Sequence, residues 1–370
     1  MIYLVWILIP SLLLVLLSKV VFPHHITFME WTMQGGAVVV GTVLSVGILY
    51  ATTVGMSIDH EVWNGRVASK APVRVSCTHE HKCGETCSTD SKGNKHCTPV
   101  YCPDHAFDVD WDVKTTVGTF TIDRVAFDRQ GLREPKRFSS VIIGEPAADE
   151  RTTRNYLLLD PERFKAPEGT VERYKGRIPD YPSTYDYYRF NRVVNTTKDD
   201  FNYINDYLNK ELITLGAQKQ LNVVVVITNY SKDFYDALRE TWAGARKNDV
   251  ILVYGIDKEH HVNWFKADAF ADGQSNMSMI KTLNSTALDR TLDADLVHEQ
   301  LHVIQERFNR LPNKTFEYLN EDFTPPMWVV VMTVLFNLLL NVGVAAYFVA
   351  NDMGEFQFMN RRKGNRNARW

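Results

Sequence analysis

Residues 298–302 read His-Glu-Gln-Leu-His, the H-E-x-x-H spacing used by zinc proteases. On a helix the two histidines stand one turn apart on a shared face, and the glutamate can activate a metal-bound water. A third ligand must come from elsewhere, and Glu317 or Glu321 in the downstream run FEYLNED could supply it. His298, Glu299 and His302 are therefore a candidate catalytic set. The surrounding periodicity argues the other way. At about 100° per residue, Leu292, Val297, Leu301, Val303, Ile304 and Phe308 form the buried arc. His298 and His302 share the opposite side with Asp295, Gln305, Glu306 and Asn309. A catalytic metal needs a walled cleft, and Gln300 takes a position that is usually apolar in such proteases. The pattern favours an ordinary amphipathic helix.

Ligand-type side chains also crowd the stretch CTHEHKCGETCSTDSKGNKHCTPVYCPDH, residues 77–105, which holds all five cysteines. Two close pairs, Cys83 with Cys87 and Cys97 with Cys102, have the short spacing of knuckles that present two thiolates each to tetrahedral zinc. Cys77 and His105 are possible substitutes in that set, and His79, His81 and His96 lie among them. The intervening STDSKGNKH is polar and builds no core, so a cross-link is needed to offset the entropy of ordering it. Structural zinc is the first reading, because four thiolates leave no open position for a substrate. Disulfides are the rival, favoured outside the cytoplasm, although an odd cysteine count leaves one thiol over.

Three apolar runs, residues 2–22, 35–55 and 327–349, frame these motifs. Each is long enough for a helix to cross a hydrocarbon core about 30 Å thick, and within lipid a helix satisfies its own backbone. The first run lacks the basic start and small-residue cleavage site of a signal peptide. The second is rich in small residues, which suits close helix packing, so the first two runs form a hairpin within residues 1–56. Residues 350–370 carry Arg361, Arg362, Lys363, Arg366 and Arg369, whereas the other flank of the third span carries Glu317, Glu321 and Asp322. That asymmetry makes the tail cytoplasmic and sets the middle region outside the cytoplasm. The tail can also rest on the lipid bilayer's anionic headgroups, with Trp370 at the interface. The net charge of −3 creates no global field for nucleic acid, and no phosphate-binding loop occurs.

The middle region divides by composition. Residues 57–160 read as a small Cys-rich β module. Its run FDVDWDV alternates Phe107, Val109, Trp111 and Val113 with Asp108, Asp110 and Asp112, the mark of a half-buried strand with a solvated acidic face. GTFTIDRVAF, residues 118–127, supplies another strand. Residues 161–198, rich in Pro, Gly, Arg and Tyr, read as a linker or packing arm. Residues 199–326 alternate helix and strand. Phe201, Ile204, Leu208 and Leu212 form one stripe that ends at Gly216. LNVVVVIT and DVILVYGI are continuous apolar runs, as in strands buried on both faces, and HVNWF can pair beside them. Between the two runs, Phe234, Leu238 and Trp242 form a second stripe capped by Ser231. Helices over residues 277–288 and 292–310 complete an α/β fold with its sheet flanked by helices.

These residues also carry a family resemblance. LNVVVVITN, the helix ending at Trp242, GARKNDVILVYGID and the late helix leading into RFNRLPNKTFEYL resemble the TPM domain. That domain is a membrane-anchored α/β module of thylakoid-lumen, bacterial and animal membrane proteins. The whole layout is similar to membrane proteins of tailed phages, with a hairpin, a Cys-rich module beginning VSCTHEHKCGETC, this domain and a last span. The resemblance implies partner binding or phosphatase activity, both proposed for TPM proteins. The small residue and glycine that usually follow the third strand are replaced here by KADAFADG, and no catalytic residue is carried over. The expectation is an integral membrane protein whose displayed domain binds a protein partner or organises an envelope complex, without enzymatic activity. The alternative is a membrane-anchored hydrolase, either the metalloprotease above or a phosphatase.

Overall fold

A computed structural model describes residues 2–23, 26–269, 275–321 and 324–351. In chain order, helices α1 (Ile2–Val21) and α2 (Phe28–Met56) are followed by strands β1 (Ile58–Val75), β2 (Glu80–Thr89), β3 (Lys95–Pro103), β4 (Asp108–Thr115) and β5 (Thr119–Ile122). A short helix α3 (Lys136–Ser139), strand β6 (Pro146–Arg154), helix α4 (Thr170–Arg173) and strands β7 (Thr184–Tyr185), β8 (Arg189–Phe190) and β9 (Val193–Asn195) come next. Then follow α5 (Asn202–Lys219), β10 (Asn222–Thr228), α6 (Phe234–Thr241), β11 (Asp249–Ile256) and β12 (Val262–Ala269). Helices α7 (Ser275–Thr286), α8 (Ala294–Arg307), α9 (Tyr318–Glu321) and α10 (Met327–Asn351) end the described chain. The basic tail, Asp322, the Glu321 side chain and the end of KADAFADG lie outside the described residues.

The chain forms two compact units. One comprises the described residues of Met1–Ile58, Tyr156–Asp160 and Phe316–Trp370. In it α1, α2 and α10 pack against one another, and all three are long and apolar enough to cross a membrane. Helix α2 starts earlier than the apolar run because Thr27 and Glu30 form a capping box, each accepting the other's backbone N–H. Outward side chains such as Leu12, Leu16, Val39, Val43 and Leu339 are apolar and exposed, as contact with lipid tails requires. The seam between the helices mixes apolar side chains such as Ile7, Val15 and Val38 with polar ones. Ser18 donates to Gln34 at 2.6 Å, Gln34 to the Asn341 carbonyl at 3.3 Å, and Asn337 to Ser45. Gly41 makes that seam possible, since a Cβ there would collide with Asn337 Oδ1. Small residues and side-chain hydrogen bonds hold helices together where lipid gives no hydrophobic drive.

The other unit, Asp59–Asn155 with Pro161–Thr315, contains two four-stranded sheets. One has the order β12-β11-β10-β9, with β10 parallel to β9 and β11, and β12 antiparallel to β11. Every residue of β10 and β11 is buried, because alternate side chains meet apolar layers on both faces. Val223, Val225, Leu252 and Tyr254 pack with α5, α7 and α8. Val224, Val226, Ile251 and Val253 pack with α6 and with Tyr174, Tyr181 and Phe190 from the 161–198 stretch. The expected stripe Phe201, Ile204, Leu208 and Leu212 is buried. Two local details differ from expectation. Helix α5 runs past Gly216 to Lys219, where Gln220 takes the left-handed turn at φ 52°. Helix α6 starts at Phe234 with Asp233 before it, and Ser231 donates to Asp233 rather than capping the helix.

The second sheet has the order β5-β4-β1-β6, over a core of Val67, Val109, Trp111, Val113, Ile122, Phe138 and Tyr188. Strand β1 is tied to the α/β layers by a buried clasp. Arg192 donates to Asn209 at 2.9 Å, to Asn64 of β1 at 2.7 Å and to Asn222. These side-chain acceptors are neutral amides, and burial lowers the Arg192 guanidinium to about 10. The β2–β3 hairpin belongs to neither core. Almost every residue of its two strands is exposed.

Candidate functional site

The HEQLH segment lies on α8, which Asp293 caps by accepting from the Leu296 N–H at 2.8 Å. Leu296, Val297, Gln300, Leu301 and Ile304 face inward, while His298, Glu299 and His302 are exposed. Gln300 is buried because it has specific partners: it accepts from the Tyr254 hydroxyl and donates to the Leu283 carbonyl at 3.3 Å. Each member of the proposed catalytic set is engaged separately. His298 Nδ1 meets the Tyr207 hydroxyl at 2.6 Å, Glu299 accepts from Arg290 at 2.6 Å, and His302 Nδ1 lies 3.7 Å from Glu306. His298 and His302 line a shallow groove of about 90 Å³ between α5 and α8, with Tyr207, Glu211 and Gln218. Glu299 is absent from that lining, and Glu317 and Glu321 belong to the other compact unit. The groove is far smaller than the several hundred Å³ that ligand sites usually offer.

The cysteine-rich stretch forms a hairpin whose register explains its cross-links. At its tip, Asp90 accepts from the Lys92 and Asn94 N–H groups at 2.9 and 2.8 Å, and Gly93 takes the left-handed conformation that the turn requires. Counting back from this turn sets Cys87 directly opposite Cys97. A bulge between Lys82 and Gly84 then brings Cys83 to Cys102. Disulfides join Cys83 to Cys102 and Cys87 to Cys97. The four cysteines read as a zinc knuckle set thus pair across the ladder instead of converging on one centre, and sulfurs so bonded are not thiolate ligands. His81 pairs with Asp104 at 2.8 Å and His96 lies 3.9 Å from Asp90, so both sit on the hairpin surface.

Different ligand atoms converge where the hairpin leaves and rejoins the sheet. Val75, the last residue of β1, pairs with Asp108, the first of β4. Cys77, His79, His105 and Asp108 meet beside this junction, with their ligand atoms all within 4.8 Å of one another. Cys77 is the free cysteine. Asp108 departs from the expected solvated acidic face, for it is fully buried while Asp110 and Asp112 are partly exposed. Its oxygens accept from Arg124 at 2.9 Å and approach His105 Nδ1 at 3.2 Å. Burial pushes the Asp108 carboxyl up, but hydrogen bonds from Arg124 and His105 and the Arg124 charge prevail and hold it at about 2. Beside the junction opens a surface hollow of about 680 Å³, lined in part by His79, Asp110, Arg124 and Phe127. Phe127 is wholly exposed, with a left-handed backbone at φ 71°.

Cys77 and His105 were visible in the sequence as substitutes within a larger set. The grouping with His79 and Asp108 was missed because Asp108 falls on the alternating outward face of its strand. The Cys77-x-His79 and His105-x-x-Asp108 spacings were the available signal. Comparisons of the chain with protein-family models, with curated proteins and with solved structures find no match.

Proposed function

We propose that this chain is an integral membrane protein whose α/β unit displays a recognition hairpin to a protein partner on the non-cytoplasmic side. The carrying observation is the β2–β3 hairpin. Its two strands put almost no side chain into any core, yet two disulfides hold it in one shape. An ordered element without a core contributes little to folding, and pre-ordering a surface before contact is how binding segments reduce the entropy lost on association. Val100 and Tyr101 are exposed on it, the aromatic being of the type that anchors interfaces. The disulfides also support an oxidising compartment, in keeping with the basic tail as the cytoplasmic end. The TPM resemblance of residues 199–326 and the phage-like layout agree with a membrane-anchored display or envelope-organising role.

A photocrosslinking residue in place of Tyr101, with one in place of Lys258 as control, tests this in cells that make the full chain. One reproducible adduct, specific to Tyr101 and lost when residues 80–103 are replaced by a short turn, is expected. Adducts that are identical at both positions, or none from the hairpin, overturn the reading.

A further inference from the structure

We infer that Cys77, His79, His105 and Asp108 form a tetrahedral site for a borderline divalent metal, zinc foremost, which closes the base of the β2–β3 hairpin. The geometry already has the right scale. Zinc bonds of about 2.0–2.1 Å to nitrogen and oxygen and about 2.3 Å to sulfur imply ligand-to-ligand edges of roughly 3.3–3.6 Å in a tetrahedron. Cys77 Sγ lies 3.6 Å from His105 Nδ1, the two Asp108 oxygens lie 3.4 Å from His79 Nδ1 (Oδ2) and 3.2 Å from His105 Nδ1 (Oδ1), and one ligand atom from each of the four residues falls within 4.8 Å of the others. Such distances suit atoms arranged around a common centre.

An independent observation points to the same ligand. His79 Nδ1 is buried and has no hydrogen-bond partner; it lies near Asp108 without the alignment a hydrogen bond needs. A buried ring nitrogen left this way is costly unless something accepts its lone pair. The support expected around a metal is also present. Arg124 donates to Asp108 at 2.9 Å and to Asp110 at 2.8 Å, which fixes the carboxylate's orientation. The Asp104 N–H donates to the His79 carbonyl at 2.9 Å, tying together the two chain segments that carry the ligands.

The chemistry balances. The Cys77 thiol now donates to the His79 carbonyl at 3.3 Å; on binding it would release that proton to water and offer a thiolate. Each imidazole would offer an Nδ1 lone pair and carry its proton on Nε2, so the His105 proton that now faces Asp108 from Nδ1 would leave to water while Nε2 takes one up. One thiolate and one carboxylate neutralise a divalent ion, and four protein ligands make a closed, structural site. The assignment also accounts for the fifth cysteine, which has no disulfide partner because its sulfur serves the metal. This inference is independent of the partner-binding proposal, since the metal orders the hairpin whatever the hairpin meets.

The test uses the full chain in detergent, stripped by a chelator, with zinc and cobalt as probes. One zinc per chain and a cobalt spectrum with a sulfur charge-transfer band and tetrahedral d–d bands are expected. Cys77→Ser should abolish the sulfur band, and His79→Ala or His105→Ala should weaken binding by about tenfold or more. The Cys87→Ser/Cys97→Ser variant should keep the metal. Absence of bound zinc, cobalt binding without a sulfur band, or loss of metal only on His298→Ala/His302→Ala would each overturn the assignment.

Discussion

Single residues in this protein are decided by what meets them from far along the chain. Gly216 sits inside α5, where replacement by alanine should help the helix by about 1 kcal/mol. A Cβ there would lie 2.5 Å from the Asn64 Cβ, however, and Asn64 is held by Arg192 and by the Leu221 carbonyl. Overpacking of this kind costs about 1–3 kcal/mol, so Gly216→Ala should lower the thermal midpoint. Asp249 offers a pH-dependent case. It is buried and accepts from Asn222, Tyr181 and the Arg246 N–H, and burial pushes its carboxyl up to about 7. An unfolded aspartate titrates near about 3.9. The folded state therefore holds an extra proton between these values, and stability falls as pH rises through the window, then levels above about 7. Denaturation followed by fluorescence of Trp242 and Trp264 should show that slope, and Asp249→Asn should flatten it. Glu299 is tied to Arg290 on an exposed helix face, so Glu299→Gln should leave folding and any proteolysis unchanged; loss of cleavage of a verified substrate would restore the protease reading.

Elements differ in what holds them. The helices and strands of the α/β layers depend on burial. Leu208 of α5 is fully buried in the larger core, and Leu208→Ala should cost about 2–5 kcal/mol in the same unfolding measurement. The β2–β3 hairpin depends on covalent links. The Cys83–Cys102 bond closes a sequence separation of 19, worth about 3 kcal/mol of local order by loop entropy. Replacing all four paired cysteines by serine should open residues 80–103 to proteases while the tryptophan-monitored midpoint moves little. A large global loss of stability would instead show that the hairpin supports the cores.

For the whole molecule, orientation is the property that gives the rest its setting. An impermeant thiol reagent applied to intact cells should label a cysteine introduced at Lys258 and not one introduced at Arg366, each compared with the parent chain. Labelling at Arg366 alone would reverse the proposed sidedness and leave the disulfides in a reducing compartment, where they seldom persist.

The three long helices and the two buried strands β10 and β11 were legible from sequence because their signals are local. An uninterrupted apolar run states its environment without reference to any other segment. The outward face of α8 was legible for the same reason, since a helix's period fixes which residues share a side. Cysteine pairing was not legible: composition allowed zinc or disulfides, and only the hairpin register, with its bulge at Cys83, brought Cys83 to Cys102. The cluster at the hairpin base was further out of reach. Its members come from the segments that join β1 to β2 and β3 to β4 and from the first residue of β4, brought together by a ladder whose last pair is Val75 and Asp108. Local patterning determined the elements, whereas pairing between distant strands decided which side chains share a site, because ligand geometry depends on distances that no sequence spacing contains.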